Sequence, residues 1–283
     1  MQTMDVLAQR LNGLCEEQPF QTGWYLKDLV TGAEADRDGH VVVPSASTRK
    51  IAILATALQA VNQCRLRLDQ PVTIQERYQH NNSGCFQHLR PGFTITLQDA
   101  LVMMIIVSDN TCTGTVADMV GLDSVNALCR AIGMSGTTHR HGMPPSDLPL
   151  DHPVDFTNAT TPSDVGLLLD LLLQGTTDPA AADRLGSTPE LCRLAMDILS
   201  WQKLNSRLPA LLPQGTKVAH KTGTGARNFN DAGIVFRGER PRFILSVYTE
   251  HVPVELPDGT PGFAAAGGLI ARLARTAWDT LRD

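Results

Sequence analysis

The chain has 283 residues, 42% of them hydrophobic, and its 24 basic and 29 acidic side chains give a net charge of −5. A chain of this length can bury a large core, as one big domain or as two interlocked subdomains. With no long run of one sign, the charge argues against a nucleic-acid or membrane-surface partner, and the composition suits an ordinary soluble globule.

The N-terminal segment reads as an amphipathic helix with Leu7, Leu11 and Leu14 on one face. It lacks the basic stretch and continuous apolar run of a secretory signal. Taking Met1 as the natural start, the chain is expected in the cytoplasm; a chain trimmed after a leader would belong to the periplasm or to the exterior. The most apolar run, Ala100 to Val107, is far short of the roughly 20 residues a membrane span needs. Cys15, Cys64, Cys85, Cys112, Cys129 and Cys192 show no Cys-x-x-Cys spacing or adjacent His cluster, so reduced thiols are expected and no metal site.

Gln21 to Val30 and Glu34 to Val43 alternate around Thr31-Gly32, which predicts a hairpin. Ser47 to Cys64 is helical in pattern and apolar on most faces, as befits a helix in the middle of a domain. Thr96-Leu97-Gln98-Asp99 has the form of a capping box, so a helix should start there and deliver Ser108 at its end. Thr161 caps a further helix with Pro162 at its first position. Val218 to Gly223, Ala232 to Phe236 and Phe243 to Thr249 read as strands, and Ile270, Leu273, Ala274, Ala277 and Leu281 mark a closing helix.

These elements predict an α/β fold: an antiparallel sheet flanked by the terminal helices, plus an inserted all-α lobe. Residues 1–45 and 191–283 are expected to form the sheet lobe and residues 46–190 the helical lobe, with the site in the cleft between them. No internal repeat or low-complexity linker interrupts this plan.

Three short motifs carry the chemistry: Ser47-Thr48-Arg49-Lys50, Ser108-Asp109-Asn110 and Lys221-Thr222-Gly223. At a separation of three on a helix, Ser47 and Lys50 share a face, so Lys50 can reach the Ser47 hydroxyl. A serine hydroxyl is a weak nucleophile until a base takes its proton. Lys50 can be that base if burial and a second cation, Lys221, lower its pKa. Along a strand, Thr222 and Thr224 share a face and can offer two hydroxyls to a substrate carboxylate. Gly223 and Gly225 would leave room for a substrate backbone lying alongside as an added strand. The backbone N–H groups of Ser47 and Thr224 then suit an oxyanion hole. Taken singly, each motif has a plain structural reading: a solvated Ser-x-x-Lys pair, a polar helix end, or a glycine turn.

In that order and at domain-scale separations, the three motifs resemble those of class A β-lactamases and penicillin-binding proteins. The resemblance runs from the Trp24 strand to the last helix. It implies a serine hydrolase that passes through an acyl-Ser47 intermediate on an amide, β-lactam or ester bond of a small carboxylate-bearing substrate. Ser108 would pass the proton to the leaving nitrogen, with Lys221 in the relay, and Asn110 would hydrogen-bond the substrate's amide side chain. Asp109 would point away and tie down its loop. Arg207 stands where many class A-like enzymes carry an arginine that supports carboxylate binding, and Arg227 competes for that role. No cofactor is implied, since side chains supply all the activation, and the oligomeric state is not readable.

One part of the pattern is missing. Class A enzymes carry a loop glutamate that activates the deacylating water, yet this chain has no glutamate between Glu76 and Glu190. The stretch from Thr138 to Thr161 offers only Asp147, Asp151 and Asp155 as carboxylates. Otherwise Lys50, His141, His152 or the substrate's own groups must serve. The alternatives to a β-lactamase-like hydrolase are a penicillin-binding sensor or trap that acylates and deacylates slowly, a D-Ala-D-Ala peptidase, or a cytoplasmic biosynthetic amidase or esterase.

Overall fold

The computed structural model describes residues 3–143, 145 and 148–282. Helix α1 (Thr3–Glu16) leads into β1 (Gln21–Asp28) and β2 (Glu34–Arg37), followed by the short β3 (Val43–Pro44), a 3-10 turn at Ala46–Arg49 and α2 (Lys50–Asn62). Next come β4 (Pro71–Thr73), β5 (Thr94–Thr96), α3 (Leu97–Ile106), α4 (Asn110–Val120), α5 (Leu122–Ile132) and β6 (Ala159–Thr160). Helices α6 (Pro162–Gly175), α7 (Pro179–Arg184) and α8 (Pro189–Ser200) precede β7 (Val218–Thr224), β8 (Phe229–Arg237), β9 (Arg240–Glu250) and the closing α9 (Gly262–Thr280).

Five strands make one antiparallel sheet in the order β2-β1-β9-β8-β7, so β7 is an edge strand. Alternation sends the two strand faces into different cores. Trp24, Leu26, Val218, Val235, Phe243, Leu245 and Val247 pack with Leu7, Leu11, Ile270 and Leu273 of α1 and α9. Tyr25, Ala219, Ala232, Ile234, Ile244 and Tyr248 pack instead with the central helices, among them the wholly buried Ile51, Ile53, Leu54 and Leu58 of α2. Helix α8, which spans residue 191, lies on β7, α3 and α6.

The caps read from sequence are in place. Thr96 and Asp99 close a reciprocal capping box on α3, and the Thr161 hydroxyl accepts from Asp164 N at the start of α6. The hairpin is shorter than its alternation implied. Asp36 Oδ1 accepts from Gly39 N at 2.9 Å and Asp38 has φ +51°, which ends β2 at Arg37; Val43 and Pro44 pair with Thr160 and Ala159 instead. That small ribbon brings the loop after α5 against the turn that carries Ser47. No helix among the described residues is long and apolar enough to cross a membrane. Cys15, Cys112, Cys129 and Cys192 are buried free thiols; Cys64 and Cys85 are exposed.

Candidate active site

Ser47 sits half-buried in the 3-10 turn, and Lys50 is the first residue of α2. The turn is held from several sides. Asn158 O accepts from both Ser45 N and Ser45 Oγ, at 2.8 and 2.9 Å. Asn228 and Asn230 each donate from Nδ2 to Pro44 O at 3.1 Å. Tyr248 donates to Thr48 Oγ1, which donates on to Ser45 O. Ala46, immediately before Ser47, has φ +44°, a conformation costing on the order of 1 kcal/mol that these bonds hold in place.

Lys50 Nζ is fully buried and bonds to Ser108 O at 2.8 Å, Asn110 Oδ1 at 2.8 Å and Ser108 Oγ at 3.0 Å. The spacing in sequence aimed Lys50 at Ser47; the three bonds run to the Ser108-Asp109-Asn110 segment instead. Burial holds the Lys50 pKa well below 10.5, with Lys221 and Arg49 pushing the same way and Asp109 and Cys112 opposing them. A neutral amine has two N–H donors and one lone pair. Ser108 O and Asn110 Oδ1 take the donors, leaving the Ser108 hydroxyl to face the lone pair.

Ser108 itself has φ +56°, and its carbonyl also accepts from Ser83 Oγ at 2.9 Å. Asp109 points away from the site: Oδ1 caps α4 by accepting from Cys112 N, and Oδ2 accepts from Phe86 N, which ties down the loop after β4. An ideal Cβ on Gly84 would lie 2.3 Å from Asp109 Oδ2, so that loop can approach only with glycine there.

On β7, Lys221 and Gly223 share the face turned to the Ser47 turn, while Thr222 and Thr224 share the opposite one. Lys221 Nζ donates to Thr222 O at 2.8 Å, and burial lowers its pKa to about 7, with Asp231 raising and Arg207 lowering it further. Thr224 is exposed and Thr222 is buried. The room expected beside the glycines is occupied. A Cβ on Gly223 would stand 3.1 Å from Ser45 O and from Thr48 Cγ2, and one on Gly225 would stand 2.1 Å from Asn228 Oδ1. Gly223 therefore lets the Ser47 turn pack directly on the edge strand.

Arg207 donates to Gly223 O at 2.6 Å, Asn230 O at 2.5 Å and Thr224 Oγ1 at 2.5 Å, so it braces the end of β7. Arg227 is committed elsewhere: it pairs with Glu250 at 2.9 Å and donates to Leu150 O at 2.7 Å. Beneath Lys221, His220 Nδ1 bonds Asp231 Oδ1 at 2.9 Å and its Nε2 meets Asn205 Oδ1 at 3.0 Å. Gln202 joins the helical part to the sheet, donating to Ile105 O at 3.0 Å and His220 O at 3.4 Å.

The loop from Thr138 to Thr161 is tied to the site through its carbonyl oxygens. Arg49 donates to His141 O at 3.0 Å and Gly142 O at 2.5 Å. Asn158 Oδ1 accepts from Arg140 N and His141 N, at 2.7 and 2.9 Å. Of the residues weighed as water activators, Asp151 and Asp155 are exposed, and Asp147 lies outside the described residues. The rings of His141 and His152 bond within the loop, to Phe156 O at 3.1 Å and Pro153 O at 3.0 Å.

Asn158, Asn228, Asn230, Gln202 and Arg49 were missed in sequence. The spacing of Asn228 and Asn230, two amides two residues apart where β8 begins, was the available signal for two of them.

Comparisons with known proteins give the family and the fold. A β-lactamase of Streptomyces lavendulae is 26% identical over 275 residues, covering 94% of this chain and 86% of its own. β-Lactamase AER-1 of Aeromonas hydrophila is 24% identical over 252 residues, covering 88% and 80%. Among solved structures, a mutant of PBP-A as its acyl-enzyme complex with penicillin G superposes with a TM-score of 0.81 at 26% identity, over 98% of this chain and 96% of that one. The β-lactamase from Sphaerobacter thermophilus gives 0.82 at 25% identity, over 97% and 96%. A family model described as "Beta-lactamase enzyme family" (Beta-lactamase2) matches residues 6–281, and with nearly the whole chain so covered, the protein belongs to that family of β-lactamase-like serine hydrolases.

Proposed function

We propose that the protein is a serine hydrolase that opens a β-lactam, or a related amide or ester of a small carboxylate-bearing substrate, and that release of the acyl group is its slow step. The observation that carries this is Lys50: buried, flanked by cations, and set against a serine hydroxyl at 3.0 Å. Neutral Lys50 takes the Ser47 proton, directly or through Ser108, as Oγ of Ser47 bonds to the substrate carbonyl carbon. The developing oxyanion is met by the backbone N–H groups of Ser47 and Thr224. As the C–N bond breaks, Ser108 gives its proton to the leaving nitrogen and recovers one from the lysine pair. Thr224, exposed at the end of β7 with Arg207 braced behind its hydroxyl, takes the substrate carboxylate and Asn110 takes its amide, while Thr222, buried on the face turned away from the Ser47 turn, drops out of the expected clamp.

Water must then attack the acyl carbon and Ser47 must leave. The described part of the loop offers this step carbonyl oxygens bound to arginines in place of a carboxylate beside the site. That observation favours, as a second reading, a penicillin-binding trap in which acyl-Ser47 persists. A peptidase or a biosynthetic amidase or esterase would share the same acylation chemistry. Intact-mass analysis during incubation with penicillin G and a simple ester tests both readings. An adduct on Ser47 that forms and clears marks the hydrolase, one that stays for hours marks the trap, and no adduct from either donor refutes both.

A further inference from the structure

Arg49 occupies the second x of Ser-x-x-Lys. Its side chain is buried, and among the described residues the partners of its guanidinium are two neutral carbonyls, His141 O and Gly142 O. A buried cation held by carbonyls alone stays costly, because neutral acceptors only partly replace water. Its sequence neighbour is Lys50, and both side chains are buried where the 3-10 turn runs into α2.

We propose that Arg49 is a positioning residue with two tasks: it pins the loop at residues 141–142 over the nucleophile turn, and its charge keeps Lys50 a neutral amine fit to act as a base. This rests on Lys50 acting as base for Ser47. The charged and titratable groups facing Lys50 are Lys221 from β7, Asp109 and Cys112 from the start of α4, and Arg49 from its own turn. Burial pushes the Cys112 thiol far up, so Asp109 is the one ionised group of these that favours the ammonium. Arg49 helps Lys221 to offset it. His139, on the loop side of Arg49, adds no charge: burial and Arg49 lower its pKa to about 3.

Arg49→Met removes both the charge and the bonds to the loop; Arg49→Gln removes the charge and keeps one donor for a carbonyl. The rate at which penicillin G acylates Ser47 is measured by quenched intact mass from about pH 5 to about pH 10 in the wild type and both variants. Without the neighbouring cation, Lys50 holds its proton more tightly, so the ascending limb moves to higher pH. The expected shift is about one unit in both variants, a roughly tenfold loss below the limb with the plateau retained in Arg49→Gln. An unmoved limb with a uniformly lower plateau overturns the charge assignment and leaves a loop staple. Failure of both variants to fold also overturns it, by placing Arg49 in the service of the fold. A wild type that penicillin G and a simple ester both fail to acylate defeats the reading of Lys50 itself, and this proposal with it.

Discussion

Ser108 Oγ lies 3.0 Å from Lys50 Nζ, and of the three atoms that Lys50 contacts it is the one able to give as well as take a proton. Ser108 is held there by a left-handed backbone, φ +56°, just before α4 begins. A proton leaving Ser47 can therefore be handed on toward the leaving group. Lys50→Met is expected to slow acylation by about 10²–10⁴-fold and Ser108→Ala by about 10²-fold, with both variants folded. Stopped-flow acylation with a chromogenic β-lactam checks this, and a Ser108→Ala rate equal to wild type would remove Ser108 from the relay.

Lys221 adds a stability signature. Its pKa is about 7 in the folded chain against 10.5 when free, so between those values the unfolded state binds more protons than the native one. Stability from this site therefore rises with pH across that window and is lost as pH falls through it. Lys221→Met should be more stable than wild type at neutral pH by on the order of 2 kcal/mol, or several °C in melting temperature, with the difference shrinking toward pH 10. It should also be acylated far more slowly. Melting curves at three pH values test the sign.

Gly223→Ala places a methyl group 3.1 Å from Ser45 O and Thr48 Cγ2, tighter than ordinary contact. The turn must move off β7 by a few tenths of an ångström, at a stability cost of about 1 kcal/mol. Because Ser47 moves with it, acylation should fall by about 10²-fold. Gly13, with open space where a Cβ would go in the exposed part of α1, is the contrast: Gly13→Ala should stabilise by about 0.5–1 kcal/mol and leave acylation unchanged.

Arg207 reaches Thr224 Oγ1 at 2.5 Å, so its charge stands behind the exposed hydroxyl of β7. Arg207→Met should raise KM about tenfold for penicillin G and leave its methyl ester unaffected. Equal effects on acid and ester would show that the variant had merely loosened the end of β7.

How much of this was legible in the chain follows from the range of each interaction. Thr96, Thr161 and the strand alternation act within a few residues, so caps, the sheet and the closing helix could be read directly. Three short motifs, each local in the chain, made a candidate set legible, and the fold brings Lys50, Ser108 and Asn110 into contact. Contacts across the fold were not legible. Gly223 looks in sequence like space for a ligand, and only the packing of the Ser47 turn on β7 shows what fills it. Lys50 was aimed at Ser47 by helix periodicity, but the segment from Ser108 to Asn110, some 60 residues on, supplies all three of its bonds. Arg49 looked like one more helix residue because its partners lie in a loop more than 90 residues away.

The central claim is that Ser47, activated by Lys50, forms an acyl-enzyme whose release is slow because the described part of the loop brings no carboxylate beside the site. A time course of intact mass with penicillin G, followed by removal of excess penicillin, measures both halves. The account predicts an adduct of one penicillin mapped to Ser47, absent in Ser47→Ala, that forms at least about tenfold faster than it decays. Turnover of penicillin G by Ser47→Ala, or decay of the wild-type adduct faster than its formation, would contradict it.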